Sequence, residues 1–274
     1  MVWLASYPKS GNTWLRSVYT ALVSADEVRI NDLMGGAVPS ARAFFEVALG
    51  VRSADLSPEE VDALRAAADE AASVRITGDR WRKVHDALML GPSGKPLVSQ
   101  LVTRAALYVV RDPRDVAVSW AHHSGRSLEW SVEFLASPDS AVCDDPAFLD
   151  RQLRQRFGSW SDHVRSWVDQ PFFPVHVLRY EDCVADPVTT FQRAFAAGGL
   201  PRSEKEVALA VERASFERLE AQEESDGFVE RPDRDTRFFR RGMAGAWKDE
   251  LPDHLARRVA EQHAEVMARF GYLL

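Results

Sequence analysis

Val2-Trp3-Leu4-Ala5-Ser6-Tyr7-Pro8-Lys9-Ser10-Gly11-Asn12-Thr13-Trp14 is the stretch on which the reading of this chain turns. Val2 to Ala5 is an apolar run of strand length, Tyr7 to Asn12 carries the turn formers Pro8 and Gly11, and a helical pattern runs from Trp14 to Val23. A strand–turn–helix unit aims backbone N–H groups and the positive end of the helix dipole at whatever sits in the turn. Gly11 allows close backbone approach, Ser10 and Thr13 add hydroxyls, and Lys9 adds a point charge, so the turn reads as an anion cradle. It departs from the nucleoside-triphosphate loop G-x-x-x-x-G-K-[ST], because here the lysine precedes the single glycine. Taken alone, the segment is also compatible with an ordinary turn bearing a solvated lysine.

Outward from this unit, strands and helices alternate. A helix is expected over 56–72, where Ser57 and Glu60 form a capping box around Pro58. The apolar stretch Val74 to Thr77 precedes Trp81-Arg82-Lys83-Val84-His85, and Gly91-Pro92-Ser93-Gly94 is a turn cluster. Ala105 to Val110 reads as a buried parallel strand, Val116 to His122 as a helix, and Val175 to Leu178 as another strand. Residues 125–150, with turn signals at Pro138 and Asp144-Asp145-Pro146, look like a mobile excursion before a helix near 151–169. Asp186-Pro187 opens a helix to about Ala197, and Ser203 with Glu206 opens one to about Arg213. Residues 221–238 read as a polar loop or lid, and a last helix covers roughly Pro252 to Phe270. The alternation predicts an α/β fold: one domain over 1–274, with a mostly parallel central sheet flanked by helices.

Composition narrows the function. The chain has 274 residues, 46% hydrophobic and 27% charged, which suits a packed core rather than a disordered or disulfide-built chain. A net charge of −7 disfavours nucleic acid as a partner, so an anion site must be a local cluster. No apolar run approaches membrane-spanning length, no signal-peptide pattern opens the chain, and Cys143 and Cys183 imply neither a disulfide framework nor a metal site. A cytoplasmic location with no membrane partner is therefore expected. The chain has five lysines (Lys9, Lys83, Lys95, Lys205 and Lys248), which makes one beside a glycine turn conspicuous. Two further basic clusters stand out. Arg111 ends a strand, where open α/β sheets bind ligands, and Ser119 follows two helical turns later; helix-terminus ion pairs of Arg111 or Arg114 with Asp112 or Asp115 are the competing reading. Arg240-Arg241-Gly242, followed by Gly245 and Trp247, looks like a clamp for an anion, or else a solvated basic turn.

Three clusters in this order resemble one family. Tyr7 to Trp14 resembles the 5′-phosphosulfate loop of sulfotransferases that use 3′-phosphoadenosine 5′-phosphosulfate (PAPS) and release adenosine 3′,5′-bisphosphate (PAP). Tyr108-Val109-Val110-Arg111-Asp112-Pro113-Arg114-Asp115-Val116-Ala117-Val118-Ser119 is similar to their 3′-phosphate motif. Arg240-Arg241-Gly242, with Gly245 and Trp247-Lys248, resembles their R-K-G-x-x-G-x-W-K element. The resemblance implies the sulfotransferase version of the P-loop fold, a cytosolic-type enzyme and no metal. It places Lys9 on the leaving phosphate, Ser10, Gly11, Asn12 and Thr13 around the 5′-phosphate, and Trp14 on the adenine. Arg111 and Ser119 take the 3′-phosphate with Arg240, Arg241 and Gly242, while Tyr180 and Phe216 match adenine-lining positions or else are core aromatics.

The family's basic histidine follows a core strand in a K-T-H segment. Here the match reads Lys83-Val84-His85, which puts the base at His85 and a supporting cation at Lys83, with valine replacing threonine. His122 and His123 are rivals for that role. The expected reaction is in-line attack by an acceptor hydroxyl on the sulfuryl group, with His85 taking the proton from an ordinary pKa of about 6.5. Ser119 is expected to bond Lys9 until the acceptor binds.

A nucleotide-dependent small-molecule kinase and a non-catalytic nucleotide-binding module are the competing readings. The segments 30–55, 125–150 and 221–238 match no motif, and their Phe44, Phe45, Trp130, Phe134 and Phe228 suggest an apolar or aromatic hydroxyl acceptor. Glu129, Glu133, Asp144 and Asp145 suggest an acidic rim. An arginine- and alanine-rich composition suits a high-GC bacterial source and a natural-product acceptor. The family's dimerisation element K-x-x-x-T-V-x-x-x-E has no match from Lys248 onward, which leaves the oligomeric state open.

Overall fold

A computed structural model describes residues 1–24, 27–35, 40–74, 81–91, 94–145, 147–231 and 236–273. Strands β1 (Val2–Ser6), β2 (Trp81–Val84) and β3 (Ala105–Val110) share a sheet with β6 (Val175–Arg179), while β4 (Ala141–Val142) and β5 (Gln155–Arg156) form a separate two-stranded pair. The four-stranded order is β2-β1-β3-β6, every pairing parallel. The chain leaves β1 towards one edge and returns beyond it at β3, so the strand order reverses beside β1.

Every residue of β1 and β3 is buried, because helices cover both faces. Side chains alternate between two cores. Trp3, Ala5, Ala106 and Tyr108 point into the larger one with Trp120, Trp160 and Trp167. Val2, Leu4, Leu107 and Val109 point into the other with Leu15, Val18, Phe191 and Phe195. Tyr19 stacks on Trp81 at 4.7 Å, binding the first helix to the sheet's edge strand.

Helix starts follow the sequence signals. The helices Pro58–Val74 and Glu204–Arg213 begin at the capping pairs Ser57/Glu60 and Ser203/Glu206, and Pro187–Ala197 at Asp186. Four expectations change. Residues 128–136 are no mobile excursion: Ser127 caps the helix Leu128–Ala136, whose Val132 and Leu135 are fully buried. The expected helix near 151–169 begins only at Trp160, after β5. The expected loop at 221–238 opens inside the helix Phe216–Asp226. The last helix is two, Asp253–Gln262 and Ala264–Arg269, broken at His263, whose buried ring bonds Ser161 Oγ at 2.9 Å. Residues 75–77 of the stretch after Val74, Pro92 and Ser93 of the Gly91–Gly94 turn, and Pro146 lie outside the described residues.

Candidate active site

All four strands of the main sheet deliver a functional segment at their carboxyl ends, the edge at which open α/β sheets bind ligands. The Lys9–Gly11 turn follows β1, His85 follows β2, Arg111 follows β3, and Tyr180 follows β6. One cavity of about 720 Å³ gathers Lys9, Gly11, Asn12, Thr13, Trp14, Lys83, His85, Arg111, Ser119, Tyr180, Phe216, Arg240, Arg241 and Gly242. Of the residues expected from the sequence, Ser10 alone stays behind the surface, fully buried, with no partner for its Oγ.

The turn is built for close approach. Gly11 has φ +108°, and a Cβ there would stand 2.7 Å from the Tyr180 ring. The Asn12 amide donates to Leu4 O at 2.8 Å and Ser6 Oγ at 3.3 Å, so this side chain braces the turn against β1 and leaves the cradle to backbone groups. Lys9 is held in the left-handed region, φ 66°, with its ammonium 3.7 Å from the centre of the Phe238 ring. No hydrogen bond joins Ser119 to Lys9 among the described residues. Burial, Lys83 and Arg111 push the Lys9 pKa down to about 7.

His85 sits where β2 ends. Its Nδ1 lies 2.9 Å from Ser6 O, a carbonyl that can only accept, so Nδ1 carries the proton and Nε2 keeps its lone pair. Burial and then Lys83 lower its pKa to about 3, well below the ordinary histidine value expected from the sequence. The ring is therefore neutral at physiological pH. Three contacts that the sequence did not reveal fix this turn. His163 Nε2 donates to His85 O at 2.9 Å while Tyr108 OH donates to His163 Nδ1 at 2.8 Å, and Trp167 Nε1 donates to Asp86 O at 2.9 Å. The Asp86 carboxylate takes both Arg65 nitrogens, at 2.6 and 2.7 Å.

Around Arg111 the expected helix-terminus ion pairs form, and the guanidinium also lines the cavity. Its guanidinium stacks on Tyr180 at 4.2 Å, donates to Lys9 O at 3.3 Å and Met243 O at 3.0 Å, and lies 3.6 Å from Asp115. Asp112 caps its helix and pairs with Arg114 at 2.7 Å. Asp115 in turn accepts the backbone N–H groups of Gly245 and Trp247, at 2.8 and 2.9 Å, which ties the third cluster to the second. Arg240 and Arg241 converge on Glu250, at 2.7 and 2.9 Å, and His122 joins that carboxylate at 3.2 Å. His122 thereby stands outside the cavity wall, whereas His123 lies in it, edge-on to Phe238. At Gly242, φ +61°, a Cβ would fall 2.3 Å from the Phe216 ring.

A Sulfotransferase domain model matches residues 1–271 of the 274. The chain belongs to that family. The sulfotransferase is 27% identical over 252 residues to Sulfotransferase 1A1 of Bos taurus, covering 89% of this chain and 76% of the relative. It is 26% identical over 284 residues to Cytosolic sulfotransferase 17 of Arabidopsis thaliana, covering 98% and 75%. Its fold matches the mouse sulfotransferase SULT7A1 crystallised with PAP, at a TM-score of 0.62 and 21% identity, covering 97% of this chain and 84% of that one.

The lining of the sulfotransferase cavity outside the motif residues differs from the sequence expectation. Trp120, Val142, Phe157 and Phe238 give it an apolar wall, with Cys143, Gln152 and Gln155 beside them. The five expected aromatics do not line it. Phe45 packs with Val61 and Leu153, Phe44 lies under Arg82 at 3.9 Å, Trp130 and Phe134 pack on each other at 5.0 Å, and Phe228 backs Phe238 at 4.8 Å. Segments 125–150 and 221–238 do reach the cavity, through Val142, Cys143, Val229, Glu230, Arg231 and Phe238, whereas none of the described residues of 30–55 does. Glu129, Glu133, Asp144 and Asp145 do not line the cavity, whose carboxylates among the described residues are Glu230 and Asp115. Among the described residues no acidic, histidine or cysteine cluster could hold a metal ion, and no helix is long and apolar enough to cross a membrane.

Proposed function

We propose that in this PAPS-dependent sulfotransferase His85 Nε2 takes the proton of an acceptor hydroxyl, while Lys9 and Lys83 stabilise the charge that builds on the departing phosphate. The observation that carries the reading is the fixed tautomer: Nδ1 is committed to Ser6 O, so the lone pair belongs to the ring nitrogen on the other side, in a cavity that also holds both lysines. PAPS supplies the sulfuryl group when bound. The turn Ser10–Thr13 holds its 5′-phosphate, Arg111, Ser119, Arg240, Arg241 and Gly242 its 3′-phosphate, and Trp14, Tyr180 and Phe216 its adenine. Buried donors of cavity-lining residues left without partners fit such a ligand: Trp14 Nε1 and Arg111 Nε. Preorganised cations in a water-poor cavity stabilise developing charge without reorganising at the moment of reaction. The apolar wall of Trp120, Val142, Phe157 and Phe238 points to an apolar or aromatic acceptor bearing a hydroxyl. Residues 1–274 working as one cytoplasmic domain belong to the same reading.

Two experiments test the donor assignment. Saturating PAP, at a hundred times its Kd, is expected to stabilise the fold by about 2.7 kcal/mol, seen as a rise in Tm. 5′-AMP is expected to do much less, because Arg111, Arg240 and Arg241 then have no phosphate to hold. A rise with ATP–Mg²⁺ and none with PAP would put the competing kinase reading ahead of this donor assignment. Gly242→Ala is expected to weaken PAP by at least about tenfold (~1.4 kcal/mol), since the new methyl must displace either Phe216 or the arginine turn. Unchanged PAP affinity in a folded Gly242→Ala protein would separate that turn from the donor site.

A further inference from the structure

Glu230 belongs to none of the three basic clusters and instead pairs with two cations outside them, Arg16 and Lys83. Its Oε1 accepts from Arg16 Nη1 at 2.6 Å and its Oε2 from Lys83 Nζ at 3.0 Å, one oxygen for each cation. Arg16 lies on the helix Asn12–Val23 that follows the donor turn, and Lys83 lies on β2, two residues before His85. Glu230 follows the helix Phe216–Asp226 and lines the cavity with its neighbours Val229 and Arg231. All three side chains are largely enclosed, at 4%, 12% and 23% exposure for Arg16, Lys83 and Glu230.

We propose that Glu230 is a positioning residue for sulfuryl transfer, holding the Lys83 ammonium beside His85 and tying β2 to the donor helix through Arg16. The proposal rests on the role given to Lys83 above. Among the described residues, Lys83 faces Glu230 from beyond the helix Phe216–Asp226, Arg16 from the donor helix, Lys9 from the donor turn and the neutral His85 just past its own strand; Arg111 and Glu223 are the further charged groups around Lys9. Without a carboxylate here, two buried ammonium groups and a guanidinium would stand together, each disfavouring charge on the others. Burial already pushes the Lys83 pKa down, and Glu230 opposes that shift. Burial would raise the Glu230 carboxyl, but Lys83 and Arg16 together bring it down to about 2, so the anion persists at every working pH. A lysine whose folded pKa is lowered loses its charge as pH rises. Removing Glu230 must therefore move that loss to lower pH, and removing Arg16 must move it to higher pH.

The five lysines make this measurable one by one, by trace acetylation with acetic anhydride across a pH series and mass spectrometry of each peptide. In Glu230→Gln the pH of half-reaction at Lys83 is expected to fall by at least about one unit, a tenfold change in proton concentration, while Lys95, Lys205 and Lys248 stay where they are. In Arg16→Gln the Lys83 midpoint is expected to rise. Opposite signs exclude general loosening of the fold, which would push a buried lysine towards its ordinary value in both variants. A Lys83 midpoint unchanged in folded Glu230→Gln, or unchanged or lower in folded Arg16→Gln, overturns the proposal; if Glu230→Gln does not fold, Arg16→Gln decides. The PAP melting shift of the same proteins keeps the two readings apart: its absence in the wild type counts against the donor site, whereas lysine titration alone judges Glu230.

Discussion

His85→Asn is expected to lower turnover by about 10²–10⁴-fold, with 2-naphthol as probe acceptor, while PAP raises the Tm as much as in the wild type. The asparagine amide can reproduce the donation from Nδ1 to Ser6 O, so the turn after β2 keeps its shape and only the lone pair at Nε2 is lost. The variant thus separates a chemical role from a structural one. Turnover within about threefold of the wild type would remove His85 from the reaction. In that case His123, the other histidine in the cavity wall, would be the next group to replace.

Asp86→Ala is expected to destabilise the fold by about 3–5 kcal/mol, because it leaves the Arg65 guanidinium buried and unpaired. Both side chains are 2% exposed, and their two-pronged pairing at 2.6 and 2.7 Å is supported by the Arg156 backbone N–H on the same carboxylate. The combined change Arg65→Met with Asp86→Leu is expected to recover most of that loss, since no charge then remains inside. Urea unfolding of the three proteins provides the measurement. A cost below about 1 kcal/mol for Asp86→Ala would mean that water reaches Arg65. Activity should fall with stability here, because Asp86 adjoins His85 and its carboxylate ties that turn to Arg65.

What the sequence made legible was whatever local chemistry dictates. The buried runs of β1 and β3, the capping pairs at Ser57, Asp186 and Ser203, and the three basic clusters all announce themselves within about a dozen residues. Other features depend on what meets across the fold. Phe45 and Phe157 are equally apolar on paper, yet the first fills a satellite core and the second walls the cavity. Glu230 and Asp86 read as ordinary surface charges until Lys83, Arg16 and Arg65 are brought against them from up to 214 residues away. The helix Leu128–Ala136 had its signal, Ser127 followed by inward positions at Val132 and Leu135, but it was short and followed by turn formers. The support of His85 by His163 rested on a helix face, Trp160, His163, Val164 and Trp167, whose spacing reports burial without saying which carbonyl the imidazole will meet.

The cavity's two halves come from different kinds of backbone. The donor half rests on the carboxyl ends of β1, β3 and β6, with their hydrogen bonds spoken for in the sheet. The half proposed to take the acceptor draws Val142, Cys143, Gln152, Gln155 and Phe157 from the long connection between β3 and β6, and Val229 and Phe238 from beyond the sheet altogether. Those connections lie outside the four-stranded sheet, so their length and side chains can change without altering its strands. A lineage built on this plan can therefore exchange the molecules it modifies while inheriting its donor chemistry intact, and a laboratory can do the same by grafting 142–157 from one relative into another.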